Sequence, residues 1–111
     1  MRLADQLAEV VERFNRHAAA HSRISEELAG LERTVMVALS DGTVYSVDLR
    51  EGRLTHLRAE PAPSADLVLR TDPATLEALL TKQMGPMKAI VTRRLVIDGS
   101  LEDKLLFRKL L

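Results

Sequence analysis

The chain has 111 residues, sixteen basic and sixteen acidic; it is 46% hydrophobic and 29% charged, with two Phe, one Tyr and no cysteine. That length gives a single domain, residues 1–111, with a real core and little to spare. Cancelling charge argues against a nucleic-acid partner, which needs a broad basic surface, and the lack of cysteine excludes disulfides, thiolate catalysis and Cys-based metal sites.

No apolar run has the length of a membrane span, and "MRLADQLAEVVE" has no signal-peptide core, so a cytoplasmic setting is expected. With so few aromatic residues the interior has to be built from Leu, Val, Ile, Met and Ala, side chains that can line a deformable space.

Residues 1–30 form an N-terminal helical segment. Leu3, Leu7, Val10, Phe14, His17, His21, Ile24 and Leu28 recur at spacings of four and three. A continuous helix here would be about 43 Å long at 1.5 Å per residue, longer than the roughly 27 Å diameter of a compact domain of this size. A break near Ser22–Ser25 is therefore expected, where "SRISEEL" supplies N-cap chemistry. The same spacing admits a homodimer through this helix. His17 and His21 stand one turn apart, as two metal ligands do, but no third ligand lies close in this stretch, and Glu26 or Glu27 could serve only if the helix breaks.

A meander follows: "RTVMVALS", Asp41-Gly42, "TVYSVDLR", Glu51-Gly52 and "RLTHLR". Asp-Gly between alternating strands signals a hairpin. A two-residue loop would set Ser40 against Thr43 and put Met36, Ala38, Tyr45, Val47 and Leu49 on one face. The first strand is apolar on both sides, which marks it as central, with the second and third running out to an edge. "EPAPSAD" is a loop and "DLVLRT" a fourth strand. "DPATLEALL" is a helix with Asp72 as N-cap and Pro73 at its first position. Gly85-Pro86 interrupts, "PMKAIV" is a short helical turn, "RRLVID" a fifth strand, Asp98-Gly99 a turn and Leu101–Leu111 a closing helix. That order indicates an α+β domain: a five-stranded, mostly antiparallel sheet with helices packed on one face.

Chemistry-bearing constellations are sparse. Asp41, Glu51 and Asp98 each precede Gly, and turn chemistry explains all three. His56 has no Ser or acid at motif spacing, and there is no nucleophile elbow and no phosphate loop. The expectation is no enzyme, no cofactor and no metal. Greasy residues, in contrast, are concentrated. Leu76, Leu79 and Leu80, then Met84 and Met87, then Ile90 and Val91 form three clusters joined by the Gly-Pro break. Such a region cannot pack on a sheet as one ridge, and Met fills irregular spaces readily. Lys82, Lys88, Arg93 and Arg94 lie between Ala78 and Ile97 with no acid among them.

"DGTVYSVDLREGRL", "ADLVLRTDPATLEALLT" and "PMKAIVTRRLVIDGSLEDKLLF" together resemble the sterol carrier protein 2 family, over residues 34–111. Pro86, Lys88-Ala89, Leu95, Ile97, Gly99 and the apolar helix after them carry the likeness. The resemblance implies an apolar tunnel between sheet and helices that takes long-chain lipids, fatty acyl groups or sterols. Two positions depart from the family pattern. Arg93 stands where a Gly is usual, and Ser100 where Asp or Asn often follows the Gly of the last turn.

The expected function is non-catalytic binding, with intracellular transfer, of a fatty acid, acyl chain or sterol-like molecule. The ligand set comprises Leu76, Leu79, Leu80, Met84, Met87, Ile90, Val91, Leu95, Ile97, Leu101, Leu105 and Leu106. Lys88, Arg93 and Arg94 would meet a head group or a transiently visited anionic membrane. The alternative is an interaction module with a filled core that dimerises through its N-terminal helix. A fainter one is an accessory domain for a separately encoded enzyme.

Overall fold

The N-terminal segment is two helices, α1 (Leu3–Ala20) and α2 (Ser22–Leu28). The structure, a computed structural model, describes residues 2–110, except for the side chains of Ile24, Ser25 and residues 106–110. The break falls at His21, whose backbone is extended (φ −124°, ψ 94°), one residue before the expected stretch. It lets the segment fold back within a molecule of 36 × 27 × 27 Å. His21, not a serine, is the N-cap of α2, and it makes no side-chain capping bond. Its Nδ1–H instead donates to the His17 carbonyl at 2.8 Å, and the two imidazoles lie 4.1 Å apart. No cluster of three or more potential metal ligands occurs among the described residues. No helix among them is long and apolar enough to cross a membrane.

Five strands follow: β1 (Arg33–Leu39), β2 (Val44–Arg50), β3 (Arg53–Arg58), β4 (Leu67–Thr71) and β5 (Val96–Gly99), in the order β3-β2-β1-β4-β5. β1 is central and β3 is an edge. Only the β1–β4 pair is parallel.

The first hairpin differs from the two-residue expectation. Leu39 N–H donates to the Thr43 carbonyl at 2.9 Å and Gly42 N–H to the Leu39 carbonyl at 3.0 Å, so the loop is Ser40-Asp41-Gly42. Asp41 Oδ1 accepts from Thr43 N–H, and Ser40 N–H is held by the Thr71 carbonyl of β4. Gly42 has φ +91°, the left-handed residue that such a three-residue loop requires. The extra residue moves the register by one. Val35 faces Val47 and Val37 faces Tyr45, so Val35, Val37 and Leu39 share a face with Tyr45, Val47 and Leu49. The expected set of Met36 and Ala38 with Tyr45 is thereby corrected. The true two-residue loop is Glu51-Gly52, where Arg50 faces Arg53 and both loop residues have positive φ (53° and 76°).

One face of the sheet carries the core. Val35, Val37, Leu39, Leu67 and Leu69 are buried with Leu76, Ala89 and Leu95, and Leu3 and Leu7 of α1 pack against them. The other face is mixed: Met36, Ala38, Val44, Val68 and Val96 share it with charged and hydroxyl side chains. Thr34 donates to Asp48 at 3.0 Å, Arg58 lies 3.4 Å from the same carboxylate, and Arg70 pairs with Asp98 at 2.7 Å. Ser46, also on that face and only 1% exposed, donates to the Glu60 carbonyl of the β3–β4 connection. At the β3 edge the Asn15 side chain of α1 bonds both backbone groups of Leu54, each at 2.8 Å. A single amide thus occupies the place of a further strand and closes part of an otherwise open edge.

The remaining helices are α3 (Pro73–Leu80), α4 (Pro86–Val91) and α5 (Leu101–Leu110). Asp98 and Gly99, expected as a turn, are strand residues; Gly99 lies opposite Leu67. Ser100 opens α5, its Oγ accepting from Asp103 N–H at 3.0 Å, and Arg33 Nε binds Asp103 Oδ1 at 2.7 Å.

Candidate functional site: an apolar seam with a basic rim

The seam is built by two short helices of one design. Each has proline in its first turn, which removes an N–H that a helix start leaves unbonded anyway. Asp72 fixes the start of α3: Oδ1 accepts from Thr75 N–H at 2.8 Å and Oδ2 from the Thr75 hydroxyl at 2.7 Å. These two bonds, the hydroxyl first, hold the Asp72 carboxyl below the ordinary carboxylate range.

The helices also end alike, on "ALLTKQM" (78–84) and "AIVTRRL" (89–95). Ala78 O accepts from Gln83 and Met84 N–H, and Ala89 O from Arg94 and Leu95 N–H; Lys82 N–H returns to Leu79, and Arg93 N–H to Ile90. Thr81 and Thr92 each donate to the carbonyl four residues back, at 2.9 and 2.7 Å. This is a Schellman-type close, whose next residue takes left-handed backbone. Here those residues are Lys82 (φ 62°) and Arg93 (φ 61°), neither of them glycine. The place where the family pattern usually has Gly is therefore a glycine-type backbone site occupied by arginine. Thr71, 8% exposed, binds the Arg94 carbonyl at 2.8 Å and fixes the second close to the end of β4.

The structure divides the expected ligand set. Leu76 and Leu95 are buried in the core. Leu79, Leu80, Met84 and Ile97 pack against it while staying partly exposed, and are the candidate seam. Met87, Ile90, Val91, Leu101 and Leu105 stand at the surface, with Val91 and Leu101 each 74% exposed. Leu106, with Phe107 and Leu110, lies outside the described side chains, and Leu111 outside the described residues. Lys88, Arg93 and Arg94 are all exposed. None of them forms an ion pair among the described residues, although Arg94 helps to depress Asp72 from longer range.

Leu3, Leu7, Tyr45 and Val47, absent from the expected set, also pack against this core. The spacing of α1 signals the first two, and the alternation of β2 the others. Gln6, between Leu3 and Leu7, buries its Oε1 without a hydrogen-bond partner among the described residues; nothing in the sequence marked it.

A family model described as the SCP-2 sterol transfer family matches residues 11–111. The chain belongs to that family. The match begins inside α1, well before the region from residue 34 that carries the resemblance in sequence.

Solved structures agree on the family's fold. Sterol carrier protein-2 from Aedes aegypti, in complex with the C16 fatty acid palmitate, is similar with a TM-score of 0.65 and 17% identity, over 96% of this chain and 91% of that one. A ubiquinone synthesis protein, UbiJ-SCP2, is similar at 0.66 and 16% identity, over 96% of this chain and 90% of that one. A stereoselective inverting sec-alkylsulfatase from Pseudomonas sp. is similar at 0.61 and 24% identity over 78% of this chain, which spans only 14% of the enzyme. Among curated proteins no sequence matches.

Proposed function

We propose that this chain binds the acyl part of a lipid, without catalysis, along the seam between the sheet and the α3–α4 region, and carries it between membranes or partners. The observation that supports this most is that Leu79, Leu80, Met84 and Ile97, partly buried, pack against a core whose buried members are all aliphatic. A chain that enters there replaces water on both surfaces at no polar cost. Each methylene buried contributes about 0.8 kcal/mol, so a dozen or so supply roughly 10 kcal/mol gross, before the costs of ordering ligand and side chains. Family membership and the palmitate complex of the Aedes aegypti protein support the same ligand class.

The alternative, dimerisation through the N-terminal helix, has less to support it, because α1 spends Leu3 and Leu7 on its own core. Native mass spectrometry of protein purified without detergent, before and after incubation with palmitate, tests the reading. A one-to-one adduct is expected, and Leu80→Phe with Met84→Phe should abolish it. A clean polypeptide mass after incubation would sink the proposal, and a clean dimer mass would favour the interaction module.

A further inference from the structure

The exposed apolar residues of α4 have a position that core packing does not explain. At 100° per residue, Met87 and Val91 each lie about 160° around the helix from Ala89. Ala89 is 0% exposed, whereas Met87 is 62% and Val91 74% exposed. Two apolar side chains of the helix thus sit at its solvent pole, where a surface helix ordinarily carries polar residues. Ile90, 38% exposed, extends the patch to one side.

Lys88 lies on this helix, Arg93 and Arg94 directly follow it and Lys82 stands at the close of α3, with no acid between residues 78 and 97. Lys82, Lys88 and Arg93 make no ion pair among the described residues. Two of the three occupy left-handed backbone, at φ 62° and 61°. A side chain with a Cβ is disfavoured there, and strain of this kind persists where the displayed side chain matters.

We propose that the outer face of α4 is a membrane-docking surface that inserts Met87 and Val91 between the head groups of an anionic leaflet, with Lys82, Lys88, Arg93 and Arg94 on the phosphates. The occupant follows from shape and charge together. A short convex helix with flexible apolar tips is not a groove for a protein segment, whereas a bilayer accepts a convex apolar point ringed by cations. The inner side of the same helix is tied to the buried core through Ala89, whose carbonyl accepts from Leu95 N–H. The inference rests on the lipid-carrier reading for its purpose, but it can fail separately.

Vesicle flotation decides it. The wild-type chain should float with phosphatidylcholine vesicles containing about a third phosphatidylserine, stay in solution with pure phosphatidylcholine, and lose binding as salt rises. Met87→Ser with Val91→Ser, and separately Lys88→Ser with Arg93→Ser, should each weaken flotation tenfold or more, with circular-dichroism melts showing that the variants remain folded. Arg13→Ser with Arg16→Ser, which removes the same charge from α1, should change it less than threefold. Wild-type protein that ignores anionic vesicles overturns the proposal, whether or not an acidic protein binds the same face. So does an α1 variant as impaired as the α4 pair. Palmitate uptake by the wild type in vesicle-free solution reports the carrier reading independently: uptake without flotation removes the docking face alone, and flotation without uptake removes the carrier alone.

Discussion

Asp72 shows how much one side chain contributes to the position of the seam. It holds Thr75 through both backbone and hydroxyl, and Thr75 and Leu76 are the buried residues of α3. Asp72→Ala should cost about 1 kcal/mol, the usual worth of an N-cap, measured by urea denaturation. Its pH dependence has a definite sign. The folded carboxyl titrates below the ordinary range, so the folded state binds fewer protons than the unfolded one in between. The stabilisation is complete above the ordinary carboxylate value near 4 and is lost as pH falls beneath it. Asp72→Asn should therefore flatten the acid limb of a stability profile below about pH 4. At Arg93 the logic runs the other way. Left-handed backbone disfavours a side chain, so Arg93→Gly should stabilise the fold by up to about 1 kcal/mol, seen as a higher urea midpoint, while vesicle binding weakens. A destabilised glycine variant would show that the arginine side chain contributes to the fold itself.

At the scale of elements, the two hairpins explain where sequence reading succeeded and where it slipped. The alternation of β1 and β2 and their Gly-containing turns were plain, so both strands and the central place of β1 were legible. Loop length was not. Both "DG" and "EG" fit two residues, but the first is a three-residue loop whose Ser40 is tied to Thr71 on β4, a long-range bond that local sequence does not reveal. One residue of loop moved every pair of the register. Asp98-Gly99 misled for a similar reason: its glycine serves close packing against β4, not a turn. A Cβ on Gly99 would lie 2.9 Å from the Asp66 carbonyl and from a Leu67 methyl, whereas at Gly42 it would meet nothing within 4 Å. Gly42→Ala should then cost about 1 kcal/mol, for backbone conformation alone. Gly99→Ala should cost more, roughly 2–3 kcal/mol, because backbone has to move. Equal midpoints for the two variants in urea would contradict the packing of β5 on β4.

For the whole molecule, fold class, strand number and the grouping of helices on one face followed from element order and from family likeness. The seam was legible as a region and not residue by residue. Periodicity locates an apolar helix face but does not say whether that face meets a sheet or water, and Met87 and Leu79 look alike in sequence although the structure separates them. Ligand binding is a property of this whole. If palmitate binds the folded chain only, a free concentration one hundred times its dissociation constant should add about 2.7 kcal/mol of stability. A melting temperature unmoved by palmitate would contradict that binding.

The sheet's outer face, with its ion pairs and its covered Ser46, has a consequence of its own. Because helices roof one side and charged pairs dress the other, the molecule has a front and a back. A dye, a tag or a fused enzyme attached beside Arg70 or Asp98 would ride on the back and leave the seam free. The two faces of the sheet can therefore be addressed separately, a label on the back reporting on the molecule without touching the proposed seam.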